Sequence, residues 1–441
     1  MWFDAETDPT NPVTRQQAGA TNRTNLNQLI SAVSQSGGGV IFFAGGTGDY
    51  MFAGGGIILK SNVSLVGAGP GVTRFTWAAN SIANGGYFVF IQNAQNVSIA
   101  GIRFDGSDAQ PSATTVSLKV DGSSNVDIEG CHFANTVRTI SIYNGSSSIR
   151  VHRNRFLAST RGQALYAFGD GAPVSHIRIT ENYVENVVAA AADLGPRSAF
   201  YSAGANVQYE GNTVADSYDT AIMFGNGSVD CSAIGNTAVT TYVSLFVGSG
   251  AKRVRVIGNA LSSRNDYGIH AYNRDQNSAF PAEAFNVLSM NTVADCGKSG
   301  IHVEGAAFVN VTGNIITNPG RRYATAPDGI QDRERSGILV SSASNNINNS
   351  SNCVVSGNTI VDLSSQPLMR YGIYVSTGMD GVALVGNSIR GAWDRLVRVP
   401  AGLPPAASYP VGTQGWDGSG SNPHPVWSDG SVWRKADGSV N

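Results

Sequence analysis

One recurring unit constrains this chain more than any other feature. Its clearest copy is Val309-Asn310-Val311-Thr312-Gly313-Asn314-Ile315-Ile316, two short alternating strands that meet at a Gly-Asn corner. With the corner residue as anchor, the unit recurs at Ala68, Ile102, Cys131, Asn154, Asn182, Asn212, Asn236, Asn259, Asn291, Asn314, Asn358 and Asn387. The shortest spacing, 23 residues, occurs three times, and the widest, 44, follows Asn314. Five and three residues before the anchor the chain is mostly Val, Ile or Leu, and two residues after it is again apolar. Only the unit at Asn291 reads as slipped by one residue on its upstream side. Apolar residues two apart share one face of a strand, and a fixed period of one supersecondary unit means a solenoid. Units this short, β-branched and Gly/Asn-cornered predict a parallel β-helix of about twelve coils. Each coil then adds a strand to each of three parallel sheets, about 4.8 Å apart. Aligned Asn side chains can bond up and down such a stack, so they are assigned a structural role.

Composition agrees and removes some functions. The 53 glycines suit a fold made of corners. Lys+Arg 29 against Asp+Glu 31 leaves a net charge of −2, with no basic stripe for nucleic acid. No run of 18 apolar residues predicts a membrane span. Met1-Trp2-Phe3-Asp4 is not the start of a signal peptide by its pattern. Cys231 and Cys353 fall in the inward column, Cys131 takes a corner and Cys296 a turn. No disulfide framework or metal spacing is expected, and no cofactor.

Upstream of the coils, residues 1 to about 20 read as irregular. Thr24 is placed to cap a helix over about Asn25 to Ser36, with Leu26, Leu29, Ile30 and Val33 on one face. A solenoid must cover its first coil, and this helix is the expected lid. The boundaries follow: 1–54 for the N-terminal segment and helix, 55–397 for the coils, 398–441 for a C-terminal segment. The stretch "TNRTNLNQLISAVSQSGGGVIFFAGGTGDYMF", followed by "GGIILKSNVSLVGAG", resembles the opening of the pectate-lyase-like superfamily of right-handed β-helices. That superfamily includes phage tailspikes and polysaccharide lyases, hydrolases and epimerases. This chain departs from its pattern at Asn22 and Asn25, where acidic residues are usual, and in "AGGTGDY". The ending "GWDGSGSNPHPVWSDGSVWRKADGSVN" resembles the terminal segment of phage tail and fibre proteins. The resemblance implies an all-β, right-handed parallel β-helix and a polysaccharide partner. It further implies a homotrimer, attachment to a virion tail or baseplate through a terminus, and a virion or extracellular location.

In a β-helix the inward residues are committed to packing, so chemistry belongs on an outer sheet face or its loops. Gly300-Ile301-His302-Val303-Glu304 typifies the strand between corner units. Ile301 and Val303 point in, and His302 and Glu304 point out. Aligning the coils gives one outward column of Ser141, Tyr166, Tyr201, Ile222, Phe246, His270, His302, Leu339 and Tyr374. A parallel column holds Tyr143, Phe168, Ala203, Phe224, Gly248, Tyr272, Glu304, Ser341 and Ser376. Tyr166, Tyr201, Phe224, Phe246, Tyr272 and Tyr374, with Arg264 and Arg333 from the adjoining loops, are the expected glycan contacts. Rings buried between subunits or under a loop would produce the same pattern. Glycoside hydrolysis needs two carboxylates, and Glu304, Asp266, Asp295 and Asp219 are the candidates. Elimination needs a base and a cation instead, for which His270 or His302, Tyr267 or Tyr272, and Arg264 or Arg333 qualify. Two His residues alone make no metal site without a third ligand. The functional expectation is a tailspike-like depolymerase, hydrolysis preferred. A lyase or epimerase of the same fold and a non-catalytic receptor-binding or structural virion protein are the alternatives.

Overall fold

The computed structural model describes residues 12–46, 49–78, 82, 86–106, 115–136, 138–157, 163–169, 171–187, 198–225, 227–248, 250–273, 284–324, 331–343, 349–392, 395–398, 414–417 and 424–435. The fold is the expected right-handed parallel β-helix of about a dozen coils, capped by an N-terminal helix. The chain divides into two compact units, Met1–Ala221 and Ile222–Asn441.

In the first unit the helix is longer than its sequence signals, running Pro12–Gln35. Thr24 is not its cap: it sits inside the helix and its hydroxyl donates to the Ala20 carbonyl. Tertiary packing draws the polar first half into the helix. Gly19 lies so close to the Phe52–Ala53 backbone that a Cβ would meet it at 2.8 Å, and the buried Asn22 amide donates to the Met51 carbonyl. Leu26 and Ile30 are fully buried, as the lid requires. In the coils that follow, Val97, Val126, Ile149 and Ile177 stack in register on one sheet. Phe104, Phe133 and Phe156 form an inner column of rings, centroids 5.3 Å apart and nearly parallel.

The second unit keeps the coil but fills the same position with aliphatic residues: Leu261, Val293, Ile316, Ile360 and Ile389 pair in sequence. The Asn291 coil is not slipped. Leu288 sits in register between Val256 and Val311, and Asn286 replaces the usual apolar residue two positions earlier. Its buried amide accepts from Val254 N and donates to Ala251 O. Downstream, strands Gln414–Asp417, His424–Ser428 and Trp433–Lys435 form an antiparallel sheet, with Val426 and Trp433 packed on Ala383. No described helix is long and apolar enough to cross a membrane.

The anchors hold their corners as read. Within the second unit, Asn236, Asn259, Asn291, Asn314 and Asn358 each donate from Nδ2 to the next anchor's Oδ1 at 2.9 Å. That same oxygen accepts the backbone N–H of the preceding anchor. The second Nδ2 hydrogen of Asn259, Asn291 and Asn314 goes to a carbonyl one coil back. Two donors and two acceptor sites are thereby used, which is the full capacity of a primary amide. The residue before each of these anchors is left-handed. It is Gly at Gly235, Gly258, Gly313, Gly357 and Gly386, but Met at Met290, with φ of 54°. All four cysteines are buried and free.

Candidate active site

Ile269–Tyr272, Ile301–Glu304 and Ser336–Ser341 lie side by side on the outer face of one sheet in the second unit. Gly268 and Gly300 precede the first two, and Gly337 is the second residue of the third. A Cβ on any of these would strike the side chain of the next coil, Val293, Ile316 or Ile360, at 2.2 to 2.4 Å. Glycine is therefore what lets the three strands start in line. Ile269, Ala271, Ile301 and Val303 then point inward and are fully buried. Alternation sends His270, Tyr272, His302 and Glu304 out.

Register puts His270 directly beside His302, and Tyr272 beside Glu304. The two imidazoles stack 4.7 Å apart and 5° from parallel. His270 Nε2 lies 3.0 Å from Glu304 Oε2, and His302 Nδ1 lies 3.8 Å from the same oxygen. Tyr267 lies against both imidazoles, with ring centroids 4.8 and 4.6 Å away, and Phe246 meets His270 edge-on at 5.4 Å. The patch is sheltered: 10% of the His270 side chain and 13% of Glu304 remain exposed. Burial, with His270, Arg333 and Lys298 nearby, holds His302 well below the usual imidazole range, so it is neutral.

Behind the histidines is a fixed polar layer. The Tyr267 hydroxyl donates to Glu334 at 2.8 Å, and Lys298 Nζ reaches Glu334 at 3.2 Å and Asp266 at 3.4 Å. Burial raises the Glu334 pKa, but the Gln331 N–H, Lys298 and the Tyr267 hydroxyl outweigh it and hold the carboxyl below its ordinary value. Burial, then the charges of Glu334 and Asp266, push the Tyr267 phenol far up. Tyr267 is a protonated wall, and its hydroxyl is already engaged. Arg333 is half-buried near His302, and no carboxylate of the described residues pairs with it.

The structure thus brings Glu304, His270, His302, Phe246, Tyr272, Asp266 and Arg333 to one region. Others fall elsewhere. Asp295 is a left-handed corner residue, half-exposed, accepting from Asn318 and lying 3.9 Å from Arg321. Arg264 is exposed, and Asp219 lies in the first unit, where it accepts from the Thr220 hydroxyl. Tyr374 pairs with Leu339 farther along the sheet. Tyr166 and Tyr201 form a separate ladder in the first unit, stacked at 4.9 Å, with Tyr143 5.9 Å from Tyr166. Phe224 is a correction. It pairs with Val247 and is fully buried, as Ile222 is against Leu245. The column was misaligned there by one residue, and Met223 is the outward neighbour of Phe246. Lys298 and Glu334 come from loops outside the repeating unit. Tyr267 and Glu334 are 67 positions apart, and no periodic signal links them.

The right-handed β-helix defines the class. The family described as "right handed beta helix region" matches residues 41–184 and 171–347, and the chain belongs to that family. No curated protein matches it in sequence. Among solved structures it is similar to the A-module of Azotobacter vinelandii mannuronan C-5 epimerase AlgE6: 17% identity, 86% of this chain and 92% of that one, TM-score 0.58. The Streptococcus pneumoniae surface adhesin PfbA is 14% identical over 94% and 95% of the chains, TM-score 0.59. The tailspike of E. coli bacteriophage HK620, in complex with a pentasaccharide, is 14% identical over 88% and 78%, TM-score 0.52. Such identities establish the fold alone.

Proposed function

We propose that the protein binds an extended polysaccharide along the ring-bearing outer face and hydrolyses it beside Glu304. The observation that carries this is the Glu304 carboxylate itself. It stands on the sheet face, hydrogen-bonded to His270 and walled by aromatic rings that suit sugar faces. In this reading Glu304, reprotonated through His270, gives its proton to the glycosidic oxygen as the C–O bond breaks. Asp266, steadied by Lys298, takes the proton of the attacking water. The likeness to the HK620 tailspike supports a place on a phage tail, and a homotrimer attached through one terminus is part of the same proposal.

A second reading rests on Arg333. Its guanidinium, without a carboxylate partner among the described residues, suits an acidic sugar, and elimination or epimerisation at a uronate would then use His270 as base. The experiment that separates the readings is incubation with a panel of bacterial surface polysaccharides, following reducing ends and ultraviolet absorbance together. Hydrolysis gives new reducing ends alone; elimination raises both signals. Polymer retention with neither signal makes the protein a binder, and Glu304→Gln that turns over like the wild type removes Glu304 from the reaction.

A further inference from the structure

The geometry points to a divalent transition-metal site formed by His270 Nε2, His302 Nδ1 and Glu304. Its donor atoms all lie within 4.8 Å of one another. The separations to Glu304 Oε2, 3.0 and 3.8 Å, bracket the spacing of about 3.3 Å that bonds of ~2.0–2.1 Å at tetrahedral angles require, and the two rings, stacked 5° from parallel, must turn about χ2 to aim both lone pairs at one ion.

The second observation is the state of His302. It is 5% exposed, and its Nδ1 is buried with no hydrogen-bond partner. Its Nε2 lies 2.8 Å from Ser341 Oγ, and that hydroxyl's single hydrogen goes to the Ser342 carbonyl. With Ser341 accepting, Nε2 carries the ring proton and Nδ1 presents a bare lone pair. The lone pair faces a carboxylate oxygen across 3.8 Å, two acceptors with no hydrogen between them. Such a buried acceptor pair is costly unless a cation or a donor sits between. A metal-bound imidazole commonly donates its other N–H to an outer partner, and Ser341 is placed to receive it. Two imidazoles and one carboxylate suit zinc or its first-row neighbours, whereas calcium and magnesium prefer all-oxygen shells. This inference goes beyond the cleavage reading: a metal can bind here whether or not a glycan is cut. In the loaded protein Glu304 is a ligand, so metal and proton compete for it.

The test is equilibrium dialysis of chelator-stripped full-length protein against ZnCl2, with CaCl2 as control. Expected are one zinc per chain, at least tenfold weaker binding in His302→Ala, unchanged binding in Asp295→Asn, and no calcium uptake. Cobalt(II) loading gives a second readout that does not need a variant, through the visible bands of a low-coordinate nitrogen/oxygen site. Stripped wild type that takes up no zinc overturns the proposal. So does a His302→Ala protein, folded by circular dichroism, that binds zinc as the wild type does.

Discussion

The outward sheet face carries different chemistry in the two units. In the first it stacks two phenols, Tyr166 and Tyr201, with Tyr143 beside them from the parallel column, Lys119 5.4 Å from the Tyr143 ring and Arg138 5.7 Å from that of Tyr166. In the second, the equivalent register holds Phe246, His270 and His302, with Glu304 one step along. The backbone is alike; only the side chains differ. Tyrosines offer flat faces and no proton near neutral pH, and burial pushes Tyr201 up further, to about 12. An imidazole beside a carboxylate can pass a proton to it. One face suits grip, the other reaction.

Breaking that contrast at its strongest point means Glu304→Gln. Turnover on the cleaved polysaccharide is expected to fall by about 10²–10⁴-fold, with retention on a sizing column unchanged. An equal loss of binding would place Glu304 in recognition instead. The interiors differ as well. Phe133→Ala, in the stacked column of the first unit, is expected to cost about 3–5 kcal/mol. Val293→Ala, at the equivalent aliphatic position of the second, should cost clearly less, and parallel thermal melts rank the two. Acid should distinguish the outer faces. His302 is neutral in the folded protein well below 6.5, whereas the unfolded chain protonates it near that value. Its contribution is fully present above about pH 6.5 and lost as the pH falls below it, about 1.4 kcal/mol for each unit by which the folded pKa is depressed. Melting temperature should therefore fall between pH 7 and 5, with a smaller slope in His302→Gln; equal slopes would remove His302 as the cause. Tyr166→Ala is expected to weaken polysaccharide retention roughly tenfold, the value of one stacked ring, without changing the cleavage rate of bound polymer. Smallest is Met290→Gly, which relieves a left-handed non-glycine residue and should stabilise by about 0.5–1 kcal/mol.

Repetition made the coils legible. A buried column admits few residue types, so Val126, Ile149 and Ile177 announce their register. Asn259, Asn291 and Asn314 are legible because a primary amide uses all of its donors and acceptors at that corner. The register failed at Phe224, where Ile222 and Phe224 are both inward and apolar and a one-residue shift leaves the alternation intact. The helix boundary failed because Gly19 and Asn22 are helical through contacts with Met51–Ala53, which no local propensity records. At the site, His270, His302 and Glu304 were readable as outward residues two apart or one coil apart. Glu334 was not, because it arrives on the insertion of the widest gap, and the geometry of an insertion does not repeat.

The Asn column has a further consequence for how such a chain changes length. Each amide from Asn259 to Asn358 meets its two neighbours in the same way, so that stretch of the column looks identical after a shift of one whole coil. A duplicated unit that brings its own Gly-Asn corner can be spliced in or lost without leaving an orphaned bond. Fractional units cannot, since they would break two links at once. The number of coils is thus free to vary in integer steps, while the distance from His270 to His302 stays fixed at a single step of that lattice.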